Sequence, residues 1–281
     1  MFGYLIIVAK SDQYDYHAMA HLLAKSIKRT QKAGYDRVAL VTDDEENLKI
    51  YKKSGVYDQV IFWNKKQHWD GRSYMNDLSP WESTICLDAD MIFQRDHSHW
   101  VDYFEKNCEL YVAPKAYTFR GEEVTSDFYR KTFTANELPN LYSAFTWFKK
   151  SSQFATTFFK LVQRITEYPL EFKNLYLTKL IPEVVGTDEA FALAAKIMGI
   201  EDQIAYELEF PRFVHMKPKC QDCKTPMGKW HLDLGIYHDK YNNLKIGPYR
   251  QDDIIHYVEK DIDITEYIDT YDRLMKENFK K

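Results

Sequence analysis

Three short, nearly uninterrupted apolar runs, each separated from the next by a helical pattern, constrain this chain more than any other feature. Tyr4-Leu5-Ile6-Ile7-Val8-Ala9, Val38-Ala39-Leu40-Val41-Thr42 and Gln59-Val60-Ile61-Phe62-Trp63 lack polar alternation. A strand with one wet face alternates, whereas a strand covered on both faces does not. Between the first two runs, Met19, Leu22, Leu23 and Ile27 define the inner face of a helix closing near Gly34. Between the second and third, Asp43-Asp44-Glu45-Glu46 opens a helix that Gly55 ends, its acids matching the positive N-terminal dipole. This β-α-β-α-β order predicts a parallel sheet with right-handed crossovers.

A fourth buried run, Ser83-Thr84-Ile85-Cys86-Leu87, delivers Asp88-Ala89-Asp90 before apolar character resumes at Met91-Ile92-Phe93. In a strand, residues i and i+2 point the same way, so Asp88 and Asp90 are expected to project together. Two carboxylates that close need a cation or a set of donors, and hard divalent ions such as Mg²⁺ or Mn²⁺ suit them beside phosphates. The alternative is a solvated turn after a buried strand.

In open α/β sheets ligands bind outside the carboxyl ends of the strands. Ala9 and Lys10 with Tyr14 or Tyr16, then Asp43, then the Asp88/Asp90 pair all fall at such ends, which points to a nucleotide. Neither G-x-G-x-x-G nor G-x-x-x-x-G-K-[ST] occurs, which argues against a dinucleotide-binding dehydrogenase or a P-loop enzyme. Farther along, Arg72 precedes the fourth strand, and His99–Lys106 reads as a helix followed by a strand to Ala113. Phe119–Thr134 has no clear period and reads as a mobile or acceptor-side loop. Leu141–Phe148, which contains Ser143 and Ala144, is a strand, and Ser151 or Ser152 caps a helix with an aromatic core face. Asp188 and Glu189 sit at a helix start, where acids also serve simply to favour the dipole. Ile254–Val258 is a late strand carrying His256, which unaided reads as a core histidine. Asp263–Phe279 reads as an amphipathic C-terminal helix.

These residues resemble the GT-A glycosyltransferases, particularly the retaining, glycogenin-like group. Leu87-Asp88-Ala89-Asp90 is similar to their Asp-x-Asp motif. The resemblance implies a GT-A type, Rossmann-like mixed α/β sheet flanked by helices. It also implies a single domain, 1–281, with a nucleotide-binding half (1–113) and an acceptor half (114–281) of variable C-terminal part. It further implies a nucleotide-sugar donor (UDP-sugar) and Mn²⁺ or Mg²⁺ held by Asp88, Asp90 and His256. Donor contacts are implied from Arg72, Ser143, Ala144, Asp188 and Lys260, with Asp188 as the catalytic candidate. The surroundings of His256 depart from the family's His-x-x-Gly-x-x-Lys motif: the glycine is missing and Lys260 comes two positions early.

Cys220-Gln221-Asp222-Cys223, flanked by His215 and His231, offers a structural zinc site, or else two ordinary thiols in a loop. Around it, Arg212, Lys217, Lys219, Lys224 and Lys229 interleave with Trp230. That composition suits a polyanion, although the net charge of −4 gives the whole chain no nucleic-acid signature. The chain also resembles bacteriophage enzymes that glycosylate hydroxymethylcytosine in DNA, which implies DNA as acceptor through the 212–250 loop. A saccharide or protein hydroxyl is the alternative acceptor, and a non-enzymatic nucleotide- or nucleic-acid-binding module the alternative class. No run approaches the ~18 apolar residues of a membrane span, and four cysteines are too few for a disulfide scaffold. The cytoplasm, the host's if phage-encoded, is the expected compartment.

Overall fold

The computed structural model describes residues 1–64, 68–124, 130–179, 184–206, 208–216, 235–239 and 243–257. Cys220, Cys223, Lys260, most of the basic run and the Asp263–Phe279 segment lie outside the described residues. Strands β1 (Phe2–Val8), β2 (Val38–Thr42), β3 (Gln59–Phe62) and β4 (Ser83–Leu87) stand where the apolar runs predict them. β5 (Met91–Ile92), β6 (Leu110–Ala113) and β7 (Tyr142–Lys149) follow. The main sheet runs β3-β2-β1-β4-β7-β6. Pairings among the first four strands are parallel, while β7 is antiparallel to both β4 and β6. The sheet is therefore mixed, and the reversal of β7 brings its first residues to the carboxyl ends of its neighbours.

The uninterrupted apolar runs have the cause inferred for them. Tyr4, Ile6 and Val8 of β1 enter one buried cluster with Met19, Leu23 and Ile27 of helix α1 (Tyr16–Thr30). Leu5 enters the opposite cluster, with Ala39, Val41 and Cys86 from neighbouring strands. Both faces are thus covered. At ~25 cal/mol per Å² of apolar surface, this double burial is the main stabilising term of the sheet. The Asp15 carboxylate caps α1 by accepting from the Ala18 N–H at 2.9 Å.

Helix α2 (Leu48–Lys53) begins later than the acidic run suggested, and no acid lies in its first turn. Asp44 is instead a buried acceptor, taking hydrogen bonds from Asn47 Nδ2 and Tyr51 Oη at 2.7 Å each. Those side chains and Lys10 outweigh the burial that opposes its ionisation and hold its carboxyl well below the usual range. A 3₁₀ segment (His68–Tyr74) and α3 (Met75–Leu78) lead into β4, and α4 (Ser98–Asn107) leads into β6. Part of the stretch read as an acceptor-side loop is helical, α5 (Lys131–Asn136). Ser152 Oγ caps α6 (Gln153–Glu167) at the Ala155 N–H, 3.1 Å away.

Next come α7 (Pro169–Tyr176), α8 (Thr187–Met198) and α9 (Glu201–Ile204). The aromatic stripe of α6 is core: Phe158 meets Phe191 of α8 edge-on at 5.4 Å. β8 (Phe213–His215), β9 (Ile236–His238), β10 (Leu244–Ile246), β11 (Tyr249–Arg250) and β12 (Ile254–His256) complete the described elements. They form two small sheets, β11-β10-β9 and β5-β12-β8, and the second of these borders the end of β4. No helix among the described residues is long and apolar enough to cross a membrane.

Candidate functional site

Asp88-Ala89-Asp90 is not a continuation of β4, as the i, i+2 argument assumed. It forms the turn between β4 and β5. The pair still converges, because the turn is tied down on both sides. The Asp88 N–H donates to the Ala144 carbonyl of β7 at 3.2 Å, and the Tyr257 N–H donates to the Asp90 carbonyl at 2.9 Å. β12 pairs antiparallel with β5, setting His256 opposite Met91. His256 Nε2 thereby lies 3.2 Å from Asp90 Oδ1 and 3.5 Å from Asp88 Oδ2. His215, in register on β8, stacks on His256 with ring centroids 4.7 Å apart and planes 7° apart, which fixes the imidazole plane.

The donor set fits a hard divalent cation. One ligand atom from each of Asp88, Asp90 and His256 lies within 4.8 Å of the others. Metal–ligand bonds of ~2.1 Å put adjacent octahedral donors ~3 Å apart, close to the spacing between the imidazole and each carboxylate. Burial pushes the Asp88 carboxyl up, with the charges of Asp90 and Asp188 adding to the effect and Arg72 and His256 opposing it. A carboxylate in that state, beside a second one, gains strongly from a cation.

Arg72 is delivered by a close approach. A Cβ on Gly71 would sit 2.8 Å from Ile7 Cγ2, so only glycine lets the 3₁₀ segment press against β1. Arg72 Nη1 then lies 2.9 Å from Asp88 Oδ1 and donates to Ser143 Oγ at 3.0 Å. Burial works against its charge, but Asp88 and Asp188 more than restore it.

Asp188, in the first turn of α8, is caged. Its Oδ1 accepts from the Ser143 N–H at 2.9 Å and from Ser143 Oγ at 2.6 Å. Its Oδ2 pairs with Arg130 Nη2. Burial opposes the carboxylate, yet Arg130 and Ser143 hold its pKa below the ordinary value. Glu189 beside it is pushed up by burial and by the Asp188 charge. Arg130 is itself buried, with its guanidinium 3.7 Å from the Tyr142 ring centroid and 4.6 Å from that of Phe133.

The ends of β1 and β2 make a separate wall. The Lys10 N–H donates to Asp43 Oδ1 at 2.8 Å, while its ammonium lies 3.0 Å from both Asp44 Oδ1 and Glu46 Oε2. Lys10 is therefore engaged by neighbouring acids, and Ala9 is half-buried just before it. Tyr14 and Tyr16 meet edge-on at 6.0 Å, and Tyr14 is exposed. His17 stacks on Tyr51 at 5.1 Å and lies 2.7 Å from Thr42 Oγ1. Sequence reasoning missed Arg130, His17 and Tyr51, and it grouped His215 with the Cys220/Cys223 pair rather than with His256. The helical spacing of α1 left His17 readable as an ordinary helix residue, and nothing in the aperiodic stretch marked Arg130.

No family model and no curated protein matches the sequence. Solved structures do match. Mouse xyloside xylosyltransferase 1, in its apo form, superposes with a TM-score of 0.53 at 12% identity, covering 92% of this chain and 98% of that one. The fold is GT-A-like. The apo structure of WbbM, a bifunctional glycosyltransferase, gives a TM-score of 0.52 at 12% identity over 96% of this chain. This chain spans 49% of that protein. At such identity the likeness establishes the fold, and the chemistry has to be argued from the site.

Proposed function

We propose that this chain is a metal-dependent glycosyltransferase that moves a sugar from a nucleotide-sugar, a UDP-sugar in the first instance, to an acceptor hydroxyl. The observation that carries the reading is the convergence of Asp88, Asp90 and His256 at the carboxyl end of β4, beside Arg72. A bound Mn²⁺ or Mg²⁺ supplies positive charge against the charge developing on the leaving diphosphate. The residues divide the donor between them. The β1–β2 end, where the Lys10 ammonium is held by Asp44 and Glu46, suits an uncharged heterocycle through Tyr14, Tyr16 and the His17/Tyr51 stack. Arg72 suits phosphate oxygens through charge-assisted hydrogen bonds.

Ser143, Ala144 and Asp188 line the sugar end in this reading. Both Asp188 oxygens already accept hydrogen bonds, so its role is to orient and electrostatically support the sugar rather than to attack it. As the resemblance to the retaining group implies, the acceptor in this reading attacks from the face the diphosphate leaves, which gives retention. Hydroxymethylcytosine DNA is the acceptor proposed from the basic run beginning at Arg212. The alternative is a saccharide hydroxyl, in keeping with the name of the xyloside xylosyltransferase neighbour.

The test is calorimetric titration of Mn²⁺ and then a panel of nucleotide sugars into the wild-type protein and Asp90→Ala, followed by mass spectrometry with hydroxymethylated DNA and with oligosaccharides. Wild type is expected to bind a donor only with metal, and Asp90→Ala to lose both events. Absence of any donor binding in Mn²⁺ would refute the enzymatic reading. Unmodified DNA beside glycosylated oligosaccharide would replace the acceptor alone.

A further inference from the structure

Asp88 divides its two oxygens between two different partners. Oδ2 faces His256 Nε2 within the ligand cluster, while Oδ1 faces Arg72 Nη1 at 2.9 Å. The same Arg72 nitrogen donates to Ser143 Oγ, which in turn donates to Asp188. The site thus holds three carboxylates, Asp88, Asp90 and Asp188, against two guanidinium groups, Arg72 and Arg130. The two arginines are not equivalent. The Arg130 side chain is 4% exposed, and it is also held by the Leu141 carbonyl at 2.6 Å and Asn140 Oδ1 at 3.1 Å. The Arg72 side chain is 35% exposed and has one carboxylate and one hydroxyl. Arg130 is built in, whereas Arg72 has somewhere to go.

Resting on the glycosyltransferase reading, we propose that Arg72 is a built-in counter-cation that occupies Asp88 until a divalent ion arrives and is then released toward the donor diphosphate. The physical reason is competition. A divalent ion bound by Asp88 and Asp90 and the guanidinium beside Asp88 repel each other while sharing one carboxylate. Of the two guanidinium groups, Arg72 is the one exposed enough to move. Moving it relieves the repulsion and presents a planar, bidentate donor to phosphate oxygens. Metal and diphosphate are then coupled through Arg72, and that coupling is reciprocal.

A purely structural arginine makes the opposite prediction. If Arg72 merely props Asp88 in place, its removal disorders a ligand and weakens metal binding. If it competes, its removal tightens metal binding. The experiment is calorimetric titration of Mn²⁺ alone, and of Mn²⁺ with UDP present, into wild type, Arg72→Met and Arg72→Gln. Both variants lose the charge, and Arg72→Gln keeps an amide donor for Ser143, so it stands in should Arg72→Met fail to fold. The expected result is about tenfold tighter Mn²⁺ binding without nucleotide, from removal of a like charge in a partly exposed site. The enhancement of Mn²⁺ affinity by UDP should also be smaller than in wild type. Mn²⁺ affinity that is unchanged or weaker in a folded variant overturns the proposal while leaving the glycosyltransferase reading intact. No Mn²⁺ binding by any protein, wild type included, defeats both.

Discussion

Replacing Arg130 by methionine tests whether Asp188 is held as an ionised anchor. The substitution leaves a largely enclosed carboxylate facing apolar groups, since Arg130 alone contacts its Oδ2 among the hydrogen bonds and ion pairs described. Breaking a buried charge pair costs ~3–5 kcal/mol, and the lower end applies because the Asp188 side chain is still 30% exposed. The Leu141 carbonyl also loses its guanidinium donor, which adds ~1 kcal/mol or more. Asp188→Asn costs stability by a different route, placing an amide N–H₂ or a weaker acceptor against Arg130. The double variant removes that mismatch, so its cost should fall short of the sum by at least ~2 kcal/mol. The pH dependence has a definite sign. A carboxyl held below its ordinary value of 3.8 contributes stability above that value and loses it as pH falls through the folded-state pKa. The Arg130→Met deficit should therefore be greatest near neutrality and shrink below about pH 4. Urea unfolding of the four proteins at pH 7 and at about pH 3 reads both effects. Additivity within ~0.5 kcal/mol, or a deficit that persists unchanged into acid, would refute the anchor.

His97 is buried against Trp100, with ring centroids 3.9 Å apart, and burial, then Arg95 and His99, lower its pKa from 6.5 to about 3. The unfolded chain binds the proton that the folded one refuses, so stability should fall as pH drops from about 6.5 toward 3, by ~2 kcal/mol at pH 5. Urea midpoints at pH 7 and pH 5 should show this drop in wild type and a flatter profile in His97→Phe; equal slopes would count against it. Gly71→Ala places a methyl 2.8 Å from Ile7 Cγ2 and 3.3 Å from Trp63 Cζ3. It should lower stability by ~1–3 kcal/mol and weaken UDP binding by displacing Arg72, as thermal melts and calorimetry would read; wild-type values for both would refute the positioning role.

How far the sequence reaches depends on how local the cause is. The strands of the parallel core were legible because double-sided burial writes itself into consecutive residues: Tyr4 and Ile6 face one cluster and Leu5 the other. Asp88 and Asp90 were legible as a pair, although the reason they meet was not. Their convergence comes from a turn pinned by Ala144 and Tyr257, contacts made across strands that a short window cannot see. Lys10 shows the same limit. Its place at a strand end suggested a nucleotide contact and the acids after β2 a helix dipole, and nothing local showed that the two features engage each other. Arg130 reaches Asp188 across 58 residues and Ser143 reaches it across 45. No spacing rule connects such positions, and only the antiparallel return of β7 brings them together.

That return also explains why Asp188 is better suited to holding than to attacking. Because β7 enters at this edge, its second residue, Ser143, presents both an N–H and a hydroxyl to the start of α8. The helix terminus adds its own positive potential to the same carboxylate. Three donors and a dipole thus stabilise Asp188 in its charged form. A nucleophile would have to surrender those contacts as its charge is quenched on forming a bond. An orienting carboxylate loses none of them, because its negative charge persists through the transfer. In the proposed glycosyltransferase reading, the cage therefore raises the barrier for covalent participation while leaving electrostatic support of a positively charged sugar centre fully in place.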